Sequence, residues 1–318
     1  MTQVPSTVCP RCGYDQSGAI AAWVRETPPC CPLVGLCTEC GLEFAWRDVL
    51  NPVYSRQLRM FEHARNRGFS SFVLTWWKAS RPWSFWRWVR MEHEVVPRRL
   101  ALFAALAFLT TYAMMVALEA LHFWASEVFG GRFNYVYLRP ANYWGDFASH
   151  VFNPFSRARW SRWPVFPIPP LDFVTLLTFA IVPLSFVLLP RTLRKAKVRR
   201  VHVVRVWAYS LAWFPLLFMV NRILGALWEV LRHAIPQSSR AARSFSNMVD
   251  DVLTSSEGWF ILGATCGWLV LWWSFAARRY LRLPHAAGVG LAMVTLSILL
   301  SMLLILIYPG GTWFMLRL

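Results

Sequence analysis

The chain has 318 residues, 56% of them hydrophobic, with a mean hydropathy of +0.38 and a formal charge of +17. That apolar content lies outside the range of soluble globular chains, so an integral membrane protein is expected. The basic residues fall in short clusters beside long apolar runs, where retention on the cytoplasmic side accounts for them, and nucleic acid is not the expected partner.

The opening "MTQVPSTVCP" has no basic segment followed by an apolar one, so no cleaved signal peptide is expected and the N-terminus is placed in the cytosol. There, thiols are kept reduced, and the pairs "CPRCG" and "CTECG" read as metal knuckles rather than disulfides. Two residues between the sulfurs let both face one ion, and Gly13 and Gly41 supply the positive φ at which the chain turns under it. Cys9, Cys12, Cys37 and Cys40 together make a closed tetrahedral zinc site of the structural kind, with no open position for chemistry. A thioredoxin-like redox pair would need a surrounding βαβ fold that residues 1–50 cannot supply. So small a domain cannot bury much of a core, and the metal is expected to stand in for it. Cys30 and Cys31 in "PPCCPLVGLCTEC" are two further sulfurs within reach of the second knuckle, so either could replace a ligand, Cys31 before Cys30.

Residues 51–99 read as a linker helix followed by an interfacial amphipathic one. Phe69, Phe72, Trp76, Trp83 and Trp86 recur among Lys78, Arg81, Arg87 and Arg90, and Pro82 marks a helix start. Indole favours the headgroup layer and guanidinium pairs with lipid phosphate, so membrane lipid is preferred here over single-stranded nucleic acid, which also uses aromatic and basic residues together. "MEHE", Met91 to Glu94, reads as a solvated helix face, because neighbouring residues on a helix diverge by roughly 100°.

Residues 100–318 are expected to form a polytopic helical domain of about five spans: Leu100 to Leu121, Leu171 to Leu189, Val203 to Val220, Trp259 to Ala277 and Ala286 to Tyr308. The fold class is therefore mainly α, with a small N-terminal zinc ribbon. Arg205, close to the start of the third span, is expected to snorkel. Arginines before the first span, "RTLRKAKVRR" between the second and third, and "RRYLR" between the fourth and fifth all fall on one side with the N-terminus. That side is the cytoplasm, and the C-terminus lies outside. Gly263 with Gly267, and Gly288 with Ala292, are small-residue pairs through which the last two spans would pack together or against a second copy. Cys266 reads as a packed apolar side chain.

The two thiol units, with the tryptophan- and arginine-rich "TWWKASRPWSFWRWVRMEHEVVPRRL" and several spans behind them, resemble the zinc-ribbon-headed multi-pass membrane proteins of planctomycete-type bacteria. In topology alone the arrangement is also similar to Yip1-type membrane proteins. The first resemblance implies a bacterial inner membrane as the location, and neither implies an activity. Glu119 with His122 at the outer end of the first span, and Glu229 with Arg232 and His233 after the third, are clusters of ionisable groups that support the alternative of a transporter or channel. No GxSxG, HExxH, P-loop or dinucleotide glycine fingerprint is present in the sequence, so no enzyme is expected. The expected function is a non-enzymatic adaptor presenting the zinc ribbon to a protein partner.

Overall fold

The computed structural model describes residues 7–25, 31–51, 54, 56–64, 68–129, 170–188, 197–213, 216, 219–220, 223, 244 and 260–307. These residues are mainly helical and fall in two compact units. One comprises Met1–Ala105, Ala180–Ala212 and Trp268–Leu299; the other comprises Leu106–Phe179, Trp213–Gly267 and Leu300–Leu318.

In the first unit the chain begins with a turn closed by a bridge between Val8 and Asp15. Helix α1, Ser17–Arg25, follows, with Asp15 at its entry accepting from the Ser17 backbone N–H and hydroxyl at 3.0 and 2.9 Å. Those bonds hold the Asp15 carboxyl below its ordinary range. Strands β1, Val34–Leu36, and β2, Glu43–Ala45, pair antiparallel with Gly35 opposite Phe44, and α2, Trp46–Leu50, leaves directly from β2. The head has a core of two tryptophans and a phenylalanine. Trp46 meets Trp23 edge-on at 4.2 Å and Phe44 at 4.9 Å. Gly35 is required beneath them, since a Cβ there would lie 2.4 Å from Trp46 Nε1.

The linker then forms α3, Gly68–Ala79, and α4, Pro82–Trp88, the latter with its proline in the first turn as expected. These helices are not simply interfacial. Phe72, Phe85 and Trp86 are buried in the protein, Trp76 donates to the Ala212 carbonyl at 2.8 Å, and only Phe69, Trp77 and Trp83 of the aromatic set stand exposed. The periodicity is amphipathic, but one apolar face packs on other helices. "MEHE" also differs from expectation. It lies in a turn, with Met91 and His93 buried, because Arg205 donates to the His93 and Glu94 carbonyls and the His93 ring is held between the Arg90 N–H and the Gln57 side chain.

The long helices are α5, Pro97–Phe129; α6, Pro170–Leu188; α7, Arg200–Ser210; α8, Phe260–Tyr280, whose last turn Ala276–Tyr280 is π-helical; and α9, Ala286–Ile307. Among the described residues two of them, α8 and α9, are long and apolar enough to cross a membrane, against the five spans expected. The third expected span is interrupted: α7 ends at Ser210 and a turn follows at Leu211 and Ala212. Pro215, four residues after Leu211, has no N–H to offer the Leu211 carbonyl, which is a sequence reason for the stop. Helix α9 keeps Leu291, Leu299, Leu303, Leu304 and Ile307 exposed, so its outer face is apolar.

Helices α8 and α9 meet at Gly290, where a Cβ would stand 2.6 Å from Ser274 Oγ and 3.1 Å from the Val270 carbonyl oxygen. The small residues named from sequence do not make this contact. Gly263, Gly267 and Gly288 face open space. Helices α6 and α9 are joined by hydroxyls, Ser297 donating to Ser185 at 3.2 Å in the first unit, and Thr178 meeting Ser301 at 3.3 Å in the second. Cys266 packs against Val174 and Leu262, as an apolar side chain would.

Candidate metal centre

The two thiol pairs adopt the same local geometry. In the first, Gly13 N–H donates to the Cys9 carbonyl at 2.9 Å and Cys9 N–H to the Tyr14 carbonyl at 2.8 Å. In the second, Gly41 donates to Cys37 at 2.8 Å and Cys37 to Leu42 at 2.9 Å. Both turns need a left-handed residue at the fifth position, and Gly13 at φ +79° and Gly41 at φ +65° supply it. The hairpin β1–β2 carries the second knuckle at its tip and the entry to α1 carries the first, which is how they come face to face.

The Sγ atoms of Cys9, Cys12, Cys37 and Cys40 all lie within 4.8 Å of one another. Cys9 is 3.7 Å from Cys40 and Cys12 is 3.7 Å from Cys37, which pairs each sulfur of one knuckle with one of the other. Sulfurs about 2.3 Å from a tetrahedral ion stand about 3.8 Å apart, so these separations fit one metal ion and are too long for a disulfide. The four residues can hold a metal, and as a complete donor set they would leave it no open position. Cys31 is exposed, its thiol turned to the Pro32 carbonyl at 3.6 Å, and it takes no part in the cluster; Cys30 lies outside the described residues.

Burial pushes the Cys9 thiol well up, and burial also raises Cys40, to about 11. At Cys37 burial again raises the value, but the N–H groups of Cys40 and Glu39 and the sulfurs of Cys9 and Cys12 outweigh it and bring the thiol to about 7. Gln16 adds a donor that the sequence pattern did not flag: its buried Nε2 lies 3.3 Å from Cys37 Sγ. An amide N–H on a sulfur favours the thiolate that binds metal.

The head is fastened to the basic loops that the sequence offered only as topology signals. Lys197 pairs with Glu39 at 2.6 Å, Arg199 N–H donates to the Arg11 carbonyl at 2.9 Å, and Arg282 donates to the Glu43 carbonyl at 3.0 Å. His202 Nε2 meets the Pro10 carbonyl at 2.7 Å, so that nitrogen carries the proton and Nδ1 accepts from the Tyr280 hydroxyl at 2.7 Å. From Tyr280 the bonds continue inward. Arg205 donates to its hydroxyl at 3.2 Å, to the His93 carbonyl at 3.0 Å, and to Glu62, with which it pairs at 2.7 Å. Tyr209 donates to the same Glu62 oxygen at 3.0 Å, and Val96 N–H to the other at 2.8 Å. Arg205 therefore does not snorkel. It is fully buried in a satisfied network whose far end is the backbone between two thiols, at Pro10.

The side chains of Glu119 and His122, and the cluster of Glu229, Arg232 and His233, lie outside the described residues. No family model matches the chain, and no curated protein or solved structure matches it.

Proposed function

We propose that this chain is a multi-pass membrane protein of about five spans whose cytoplasmic head holds a structural zinc ion and acts as a non-enzymatic adaptor for a protein partner. The observation that carries the reading is the closed set of four thiols, which organises a head but leaves no position for substrate. Zinc suits an all-sulfur tetrahedral set in a reducing compartment. Membrane integration is supported by α8 and α9, and especially by the exposed apolar face of α9, which lipid would cover. A cytoplasmic head is supported by its bonds to Lys197, Arg199 and Arg282, since the basic loops and the head then share the side on which arginines are retained.

Those bonds also support one kind of adaptor. The head is a fixed platform at the membrane surface. Leu36 of β1 and Leu33 just before it are exposed, and an edge strand with such residues suits docking of another chain. The test is site-directed photocrosslinking from position 36 in intact cells. A discrete crosslinked species that disappears in the Leu33→Asp variant supports the reading, whereas labelling by lipid alone or by nothing would remove it.

A further inference from the structure

Between the head and the linker lies a cleft of about 400 Å³. Arg87 and Arg90 reach it from α4 and the turn after it, Arg279 and Arg282 from the end of α8, and Glu43 and Asp48 from the head. Three of these six charges are already engaged. Arg279 donates to the Trp83 carbonyl at 3.1 Å, Arg282 to the Glu43 carbonyl at 3.0 Å and to Glu92 at 3.3 Å, and Asp48 accepts from Arg47 at 3.3 Å. Arg87 and Arg90 are exposed, and among the described residues neither guanidinium has a hydrogen-bond or ion-pair partner. Two exposed arginines without an ion-pair partner on the lining of one cleft suit a phosphate, which takes two or more N–H donors from guanidinium forks.

The position of the cleft decides the source of that phosphate. Trp83 and Arg87 are four residues apart and so share one face of α4, and Trp83 is 53% exposed. Trp77 and Phe69 on α3 are exposed as well. The opposite wall begins where the apolar helix α8 ends, at Arg279 and Arg282. An exposed indole beside the end of an apolar helix belongs at the depth of lipid headgroups. Glu43 and Asp48 are acceptors on the head side and suit a ligand that brings hydroxyls as well as a phosphate.

We infer that this cleft binds the phosphoglycerol headgroup of an anionic phospholipid, with Arg87 and Arg90 on the phosphate and the carboxylates of the head on the glycerol hydroxyls. The inference rests on the membrane reading above, which is checked separately by whether the chain stays in the pellet after an alkaline carbonate wash. The lipid would then lie under the head and join it to the bilayer at one defined site. Generic attraction of basic residues to acidic lipid requires no such cleft.

The test is native mass spectrometry of the delipidated full chain in detergent, titrated with short-chain phosphatidylglycerol, phosphatidylcholine, glycerol phosphate or inorganic phosphate. One phosphatidylglycerol should bind in preference to phosphatidylcholine, and Arg87→Ala with Arg90→Ala should weaken that binding roughly tenfold, about 1.4 kcal/mol. Arg98→Ala with Arg278→Ala removes two other exposed arginines and should leave it unchanged. Equal losses in both pairs, or no preference between the lipids, would overturn the site. Binding of inorganic phosphate or glycerol phosphate as tight as that of the lipid would overturn the assignment to lipid.

Discussion

Arg205 and Glu62, 143 residues apart in the chain, form an ion pair at 2.7 Å in which neither side chain is exposed to solvent. Such a pair is balanced only while both charges remain, because removing one leaves the other desolvated and unmatched. Arg205→Met or Glu62→Gln alone should each destabilise the folded chain by about 3–5 kcal/mol, read as a lower melting temperature in micelles. Replacing both together with apolar residues should cost less than the two single changes summed. A strictly additive result would mean that the pair does not act as a unit.

The sulfur cluster separates five cysteines into two kinds. Cys12→Ser or Cys37→Ser should abolish stoichiometric metal, because each removes one of four ligands, whereas Cys31→Ser should leave metal content unchanged. Chelation should also unfold the head itself, since the metal in small sites of this type provides on the order of 10–16 kcal/mol of apparent folding free energy. Loss of hydrogen-exchange protection at the backbone amides around the packed Trp23 and Trp46 pair reports that unfolding.

Glycines in the head should differ sharply in their tolerance. A Cβ at Gly35 would lie 2.4 Å from Trp46 Nε1 and 3.0 Å from Phe44, so Gly35→Ala should cost about 1–3 kcal/mol by overpacking. Gly41→Ala has open space but a φ of +65°, and should cost about 1 kcal/mol through the backbone. Gly18, inside α1 with nothing near it, should accept alanine with a gain of about 0.5–1 kcal/mol. Thermal melts of the three variants, with metal content measured alongside, check the order.

His63 and His93 make stability depend on pH. Burial lowers both, His93 to about 3 with help from the Arg205 charge, and their bonds fit neutral rings: Gln57 N–H donates to His63 Nδ1 and Arg90 N–H to His93 Nδ1, each at 3.1 Å. The unfolded chain takes up these protons near the ordinary value of 6.5, and the folded chain resists them. Their contribution is therefore complete above about pH 6.5 and declines as the pH falls from there toward 3. His93→Gln should flatten the fall in melting temperature between about pH 6.5 and 4.5 relative to the parent chain. An unchanged slope would show that His93 is already protonated in the fold.

What could be read from the chain was whatever is local. The CxxCG spacing carried the whole knuckle, including the positive φ at Gly13 and Gly41, because every requirement lies within five residues. Pro82 likewise marked the start of α4. Non-local partners were not readable. Arg205 near the end of an apolar run looks like a snorkelling residue until Glu62 is placed beside it, and "MEHE" looks solvated until its carbonyls are found on Arg205. The aromatic residues of α3 and α4 have the same chemistry whether they face lipid or protein, so periodicity could not divide Phe72 and Trp86 from Phe69 and Trp83. The small residues pointed to a contact between α8 and α9 that exists, but not to the residue that makes it: close approach depends on which face the neighbouring helix takes, and that face holds Gly290.

The most direct test is X-ray absorption at the zinc edge on the full chain purified in detergent. One zinc per chain surrounded by four sulfurs at about 2.3 Å is the expected result. A folded head with no metal and with Cys9, Cys12, Cys37 and Cys40 in disulfides, or a zinc shell containing nitrogen or oxygen in place of sulfur, would contradict it.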